Sequence, residues 1–342
     1  MNKLPISEIN KLKKAIENAN SIVLTGHQNP DADCIGSNLG FYHFLAQSKE
    51  NIKIIMPNRF PENLKWMRGA DKILVFEKDT ENCQQIIEKA DLMFSLDYNS
   101  FHRVGKMQES LEKATCTKVI IDHHPQPSNE FDIVFSDTSV SSASELVFAV
   151  MMELSEKQSI PTASAESILA GIIADTGCFA FNSSTPETYL AVANLLEQQV
   201  DKDYIKGKLF DTYSINRTRL MGYLLSEKMV VLPEYRTAYI ILTNEEKEKF
   251  GYQIGDSEGF VNLPHSIENI IFSVFIMEHE GFVKMSLRSK GSFDVNMLSR
   301  KYFNGGGHRN AAGGKEFDLS VDETAQKLIN LLPIYKEELL KS

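Results

Sequence analysis

The feature that most constrains this chain is a series of short apolar runs in its first half that stop at aspartate and histidine. SIVLTGH (21–27), NIKIIMP (51–57), ADLMFSLD (90–97) and KVIIDHH (118–124) have the length and composition of strands. Amphipathic segments such as IGSNLGFYHFLAQ and TENCQQIIEKA lie between them. Apolar runs alternating with helical segments predict a parallel, doubly wound α/β sheet. After FDIVFSD, a helix is expected to open in SVSSASELVFAVMMEL, whose serines can cap free N–H groups, and SAESILAGIIAD reads as another helical stretch.

Four segments of this half end in acidic residues with histidines close by. They supply His27, Asp31 and Asp33 in HQNPDADCIGS, Asp97 in FSLDYN, Asp122, His123 and His124 in IIDHHP, and Asp175 in AGIIADTG. In a parallel sheet the C-terminal strand ends share one edge, so residues distant in sequence can meet there. A lone aspartate at a strand end is usually a cap or turn residue, and a lone buried histidine usually satisfies a hydrogen bond. Those roles do not explain the repetition, nor three polar residues directly after an apolar strand in IIDHHP. Five crowded carboxylates would repel and resist burial unless cations compensate them. The oxygen and imidazole set suits two divalent ions, Mn²⁺ first, with Mg²⁺, Co²⁺ or Fe²⁺ as alternatives.

The chain has 342 residues, which fits two domains. Residues 1–190 are expected to form the metal-binding domain and 191–224 a helical connection. Residues 225–342 are expected to form a smaller α+β domain with strands MVVLP, TAYIILT, NIIFSVFIMEH and FVKMSLRSKG. The four cysteines are scattered, with no CxxC pair, so neither a disulfide framework nor a cysteine zinc site is indicated. The opening segment MNKLPISEINKLKKAIENAN lacks the apolar core of a signal peptide, and no apolar run is long enough to span a bilayer. A cytoplasmic protein without membrane attachment is expected. The net charge of −10 argues against a protein that coats long nucleic acid and favours a small anionic substrate.

In the second half, NGGGHRNAAGG (304–314) follows SLRSKGSFDVN (286–296). Gly305, Gly306 and Gly307 can bring backbone N–H groups close to an anion, with His308 adding a side chain and Arg288 a charge. A glycine run is also the mark of a tight turn. The GK[ST] ending of a Walker loop is absent.

The ordered set HQNPDADCIGS, LDYN, DHHP and ADTG, with NGGGHRNAAGG behind it, resembles the DHH phosphoesterase superfamily with its DHH-associated C-terminal domain. Ala32 departs from it, standing where the family often has glycine. The layout is most similar to the nanoRNase/pAp phosphatase subgroup. The resemblance implies that His27, Asp31 and Asp97 hold one ion, and that Asp33, Asp97, His123 and Asp175 hold the other. Asp122 would orient the surrounding groups, and His124 would face the substrate phosphate. Arg103 would contact a phosphate or be an exposed helix arginine. Ser142 and Ser144 would donate to substrate at a helix N-terminus or simply cap it. Arg288 and His308 would grip the nucleotide.

The implied activity is metal-assisted hydrolysis of short oligonucleotides or of 3′-phosphoadenosine 5′-phosphate. The rival reading is a phosphodiesterase of cyclic dinucleotides or their linear products. From another class, a nucleotide sensor without catalysis is the alternative, and the full ligand set argues against it. A homodimer is left open by the sequence.

Overall fold

The computed structural model describes residues 4–155 and 160–342. Of the opening segment, residues 1–3 lie outside the described residues. Backbone contacts divide the chain into two compact units, one running to Thr212 and the other from Tyr213 onward. The division falls within the stretch expected to connect two domains.

In the first unit, β1 (Ile22–Thr25), β2 (Ile52–Met56), β3 (Ile73–Val75), β4 (Leu92–Leu96), β5 (Thr117–Asp122) and β6 (Ile133–Ser136) form one sheet. The order is β3-β2-β1-β4-β5-β6, and every pairing is parallel. This is the doubly wound architecture expected from the alternating runs. The sheet adds β3 and β6 to the four expected strands. β3 has only three residues, too few for a periodic signal to stand out.

The helices of this unit are α1 (Ile6–Asn18), α2 (Ala32–Leu45), α3 (Thr80–Glu88), α4 (Gln108–Lys113), α5 (Ala143–Leu154), α6 (Thr162–Asp175), α7 (Pro186–Leu196) and α8 (Lys202–Phe210). The main core joins Leu24, Ile54, Phe94 and Ile121 of the sheet to Ile35, Leu39, Leu146 and Ile168 of α2, α5 and α6. α2, α5 and α6 are apolar around most of their circumference, because they pack on one another as well as on the sheet. A second cluster, with Val23, Met93, Phe101 and Leu111, covers the opposite face.

The second unit holds α9 (Ile215–Tyr223), β7 (Met229–Leu232), β8 (Thr237–Leu242), α10 (Asn244–Phe250), β9 (Phe272–His279), β10 (Phe282–Ser289), α11 (Val295–Tyr302), β11 (Gly306–His308), β12 (Ala311–Glu316) and α12 (Val321–Lys341). Its sheet has the order β11-β12-β10-β9-β8-β7. Only β8 and β9 are parallel. One face packs on α11 and α12 through Val274, Met285, Leu287, Leu298, Leu328 and Leu332. No described helix is long and apolar enough to cross a membrane.

Candidate metal centre

The connections of the first sheet reverse direction between β1 and β4, which opens a crevice beyond their C-terminal ends. The loop after β1 carries His27 and Asp31. β4 runs into Asp97, and β5 ends on Asp122, with His123 and His124 next. Beneath them Tyr98 is fully buried, its hydroxyl 2.6 Å from Thr25 Oγ1 and 2.7 Å from Ser95 Oγ. These bonds tie the ends of β1 and β4 together. Asp97 itself has φ 64°, in the left-handed region that aspartate tolerates better than most residues.

The side chains converge. His27 Nε2 is 3.3 Å from Asp97 Oδ2 and 3.8 Å from Asp31 Oδ2. His123 Nε2 is 3.6 Å from Asp97 Oδ1 and 3.9 Å from Asp175 Oδ2. Asp97 therefore stands between the two histidines. Donor atoms of Asp33, His123 and Asp175 lie within 4.8 Å of one another. Asp175 comes from the C-terminal end of α6, whereas His27, Asp97 and Asp122 come from strand ends.

Two of the carboxylates serve the backbone as well. Asp31 is the N-cap of α2, with one oxygen accepting from the N–H groups of Asp33 and Cys34, both at 3.0 Å. Its other oxygen is the one near His27, and the side chain is 49% exposed. Asp33 is buried and accepts from the N–H groups of Ala143 at 2.7 Å and Ser144 at 2.9 Å. The start of α5 thus holds a carboxylate 110 residues away in sequence, where exposed N–H groups and the helix dipole favour negative charge. Gly171 of α6 makes room for this approach. A Cβ there would lie 2.0 Å from Ser144 Oγ and 2.8 Å from Asp33 Oδ1.

Electrostatics mark the crevice as short of positive charge. Burial, followed by the nearby Asp33 carboxylate, pushes Asp97 up to about 8. Burial also raises Asp33, against the opposing influence of His123. Burial acts to lower His27, yet Cys34, Asp31 and Asp97 together hold it well above the usual histidine range. Carboxylates forced toward their protonated forms beside imidazoles, at strand ends, are the donor set a divalent cation would stabilise.

His124 Nδ1 is 2.7 Å from Asp122 Oδ1, and the His124 N–H donates to Asp122 Oδ2 at 3.0 Å. Burial acts to raise Asp122, but its bond to His124 and the charge there bring it below the usual range. Burial lowers His124, with Asp122 opposing. Arg103 is half-buried and acts electrostatically on both. Ser142 and Ser144 are fully buried. Ser142 caps α5 by accepting from the Glu145 N–H, and Ser144 Oγ donates to the Asp33 carbonyl at 3.3 Å.

Cys34 has no place in the ligand set expected from sequence. Its sulfur lies with donor atoms of His27 and Asp97, all within 4.8 Å of one another. Its position four residues before Asn38 on a buried helix gives no sign of this, because only the fold brings β1 and β4 beside it.

In the second unit, Arg288 lies on β10 and His308 on β11. Each is register partner to Ala311 of β12, so the three share one row. Gly306, Gly307 and His308 form an edge strand. The Gly307 N–H donates to Asn296 Oδ1 at 2.9 Å, and this bond occupies a group that the sequence suggested for an anion. Glycine is needed at 305 because a Cβ would lie 1.9 Å from the Gly313 carbonyl and 2.3 Å from Ser299 Oγ.

Comparison with known proteins agrees along the chain. The family model of the DHH family N-terminal domain matches residues 21–172, and that of the DHHA1 domain matches residues 236–332. The chain is similar to the bifunctional oligoribonuclease and PAP phosphatase NrnA of Bacillus subtilis, with 29% identity over 96% of this chain and 98% of that protein. It is 28% identical to the NrnA of Thermus thermophilus, over 96% of this chain and 93% of the relative. A crystal structure of an exopolyphosphatase-related protein from Bacteroides fragilis superposes with a TM-score of 0.95 and 41% identity, covering 99% of both chains.

Proposed function

We propose, from the premise that this chain belongs to the DHH phosphoesterase family and carries that family's DHHA1 domain, that it hydrolyses short oligonucleotides and 3′-phosphoadenosine 5′-phosphate. The observation that carries the reading is Asp97, a buried carboxylate flanked by His27 and His123 and pushed up to about 8. The full-length likeness to relatives named oligoribonuclease and PAP phosphatase supports the substrate class.

Two divalent ions fit the donors. His27, Asp31 and Asp97 would hold one, and Asp33, His123, Asp175 and Asp97 the other, with Mn²⁺ the favoured metal. Such ions supply Lewis-acid polarisation of a phosphoryl oxygen and a nucleophilic water at neutral pH. The protein's own part is positioning and proton transfer. Asp122 holds the Nδ1 side of His124 and so orients the ring that exchanges a proton at the substrate. By stabilising the imidazolium, Asp122 also lets a buried ring become a donor to the leaving oxygen. Arg103, with its charge near this pair, is suited to a phosphate oxygen. The first unit would carry the chemistry, and Arg288 and His308 of the second would bind the nucleotide phosphate. We place the protein in the cytoplasm, where such substrates arise.

The test is a product analysis of the purified protein with Mn²⁺, offered a dinucleotide, a pentanucleotide, 3′-phosphoadenosine 5′-phosphate and cyclic di-AMP side by side. The linear substrates should be converted to nucleoside monophosphates. Turnover of cyclic di-AMP alone would replace the proposal with the cyclic-dinucleotide reading, and turnover of none would remove it.

A further inference from the structure

The sheet of the second unit has two unlike faces. Along β10, Val283, Met285 and Leu287 are buried, while Lys284 is exposed and Phe282, Ser286 and Arg288 are half-buried. Along β12, Ala312, Gly314 and Glu316 are buried, while Lys315 is exposed and Ala311 and Gly313 are half-buried. The strand alternation therefore puts a separate set of residues on the face away from α11 and α12.

The register arranges that set in rows. Arg288 lies opposite Ala311, Ser286 opposite Gly313 and Lys284 opposite Lys315, and Phe282 lies opposite His279. The aromatic end is extended by Phe317, which is 59% exposed, with its ring centroid 6.4 Å from that of Phe282. His279 stacks on Phe282 at 4.8 Å.

Packing within the unit accounts for only part of these rows: Lys315 Nζ lies over the Phe282 ring, 5.2 Å from its centroid. Like charges directly opposite one another in an antiparallel pair are destabilising, yet Lys284 and Lys315 face each other. Neither forms an ion pair among the described residues. Burial first, and then the Lys315 and Arg288 charges, lower Lys284, with Glu258 opposing them. His279 is held down to about 4, first by burial and then by Lys247, Lys284 and Lys315, so the positive field is felt locally. The middle of the strip is open. A Cβ on Gly313 would meet nothing nearer than the Met285 carbonyl at 3.7 Å.

We propose that this face is a track for the nucleotides of a short single strand that lie beyond the one gripped at Arg288 and His308. Lys284 and Lys315 take a phosphate, and the Phe282–Phe317 shelf takes a base. The proposal rests on the functional reading above. Lys284 is four residues from Arg288 on one strand, about 14 Å at the usual rise, which is beyond the reach of the two phosphates of a single nucleoside. The aromatic row is about 7 Å further. β12 ends at Glu316 with Phe317 directly after it, so the track ends at that aromatic row. It offers contacts to roughly three nucleotides, with stacking that tolerates any base.

The experiment compares wild type with the Lys284→Ala/Lys315→Ala double variant and with Phe317→Ala. kcat/KM is measured with Mn²⁺ at fixed salt on 3′-phosphoadenosine 5′-phosphate, a trinucleotide and a pentanucleotide. The double variant should lose about 10-fold on the pentanucleotide, and Phe317→Ala about 5-fold or more, with 3′-phosphoadenosine 5′-phosphate unaffected. Lys284→Arg/Lys315→Arg should restore the pentanucleotide rate. An unchanged ratio between the two substrates would overturn the track, and so would an equal loss on both. Anisotropy of a labelled pentanucleotide on the metal-free protein separates the track from the functional reading. A protein that hydrolyses none of the substrates would sink the latter. The track would fall if the double variant binds the probe as tightly as wild type.

Discussion

Gly171→Ala tests whether the start of α5 positions a metal ligand. Alanine would favour α6 by about 1 kcal/mol through helix propensity. Against that, the new Cβ would lie 2.0 Å from Ser144 Oγ and 2.8 Å from both Ser144 Cβ and Asp33 Oδ1. Ser144 can turn away only by giving up its bond to the Asp33 carbonyl. Moving the Asp33 carboxylate would lengthen its two bonds from α5. Overpacking of this kind costs about 1–3 kcal/mol, and a hydrogen bond to a charged group contributes about 1.5–3 kcal/mol. The propensity gain offsets only part of this, so the net loss should be about 1.5–5 kcal/mol. A displaced Asp33 should also weaken metal binding about 10–100-fold, the usual cost of disturbing a ligand's support. Gly207→Ala in α8 is the control. Its Cβ would meet nothing within 4 Å, and the change should stabilise by about 0.4–1 kcal/mol. Urea denaturation of the metal-free protein and calorimetric titration with Mn²⁺ read both effects without reference to activity. If Gly171→Ala is as stable as wild type and binds Mn²⁺ equally well, the packing of α6 against Asp33 has no part in holding the site.

Chelation should abolish hydrolysis and Mn²⁺ should restore it. Asp97→Ala, which removes a carboxylate shared by His27 and His123, should be the most damaging single change. Metal content by mass spectrometry and turnover together check this, and wild-type turnover would refute the assignment. Arg288→Ala should weaken nucleotide binding by about 1.5–3 kcal/mol, seen as a raised KM with metal content unchanged. A loss of metal instead would move Arg288 out of the substrate role. Asp97 also sets a pH dependence in the metal-free protein. Its ordinary value is 3.8 and the folded value about 8, so the native state keeps a proton that the unfolded chain has lost. Stability from this group is therefore present below pH 3.8 and falls as pH rises toward 8. His27, also raised, acts in the same direction above its ordinary 6.5. Urea midpoints between about pH 5 and pH 8 should fall less steeply in Asp97→Asn than in wild type. Parallel slopes would count against the buried, charge-poor site.

What could be read from the sequence was local. The apolar runs at β1, β2, β4 and β5, and at β7 to β10, carry their own periodicity. The residues that end them are polar where a strand would ordinarily pass into a turn. Clustering of His27, Asp97 and His123 follows once those strands are parallel, because parallel strands bring their C-terminal ends to one edge. The tertiary structure decided matters that depend on register and approach between distant segments. α5 donates two N–H groups to Asp33, Cys34 comes beside His27 and Asp97, and Asp175 comes within reach of His123 and Asp33. Gly306, Gly307 and His308 make an edge strand by pairing with β12, and the neighbouring backbone leaves no space for a side chain at 305. The clearest case is the strip of Lys284, Lys315, Phe282 and Phe317. Each linear stretch shows only one lysine and one phenylalanine two residues apart, Phe282 with Lys284 and Lys315 with Phe317, and the two stretches lie about thirty residues apart along the chain. Antiparallel register sets them side by side, and alternation turns them to one face. A sequence shows each strand's two faces, but which strand lies beside it is decided only when the sheet forms.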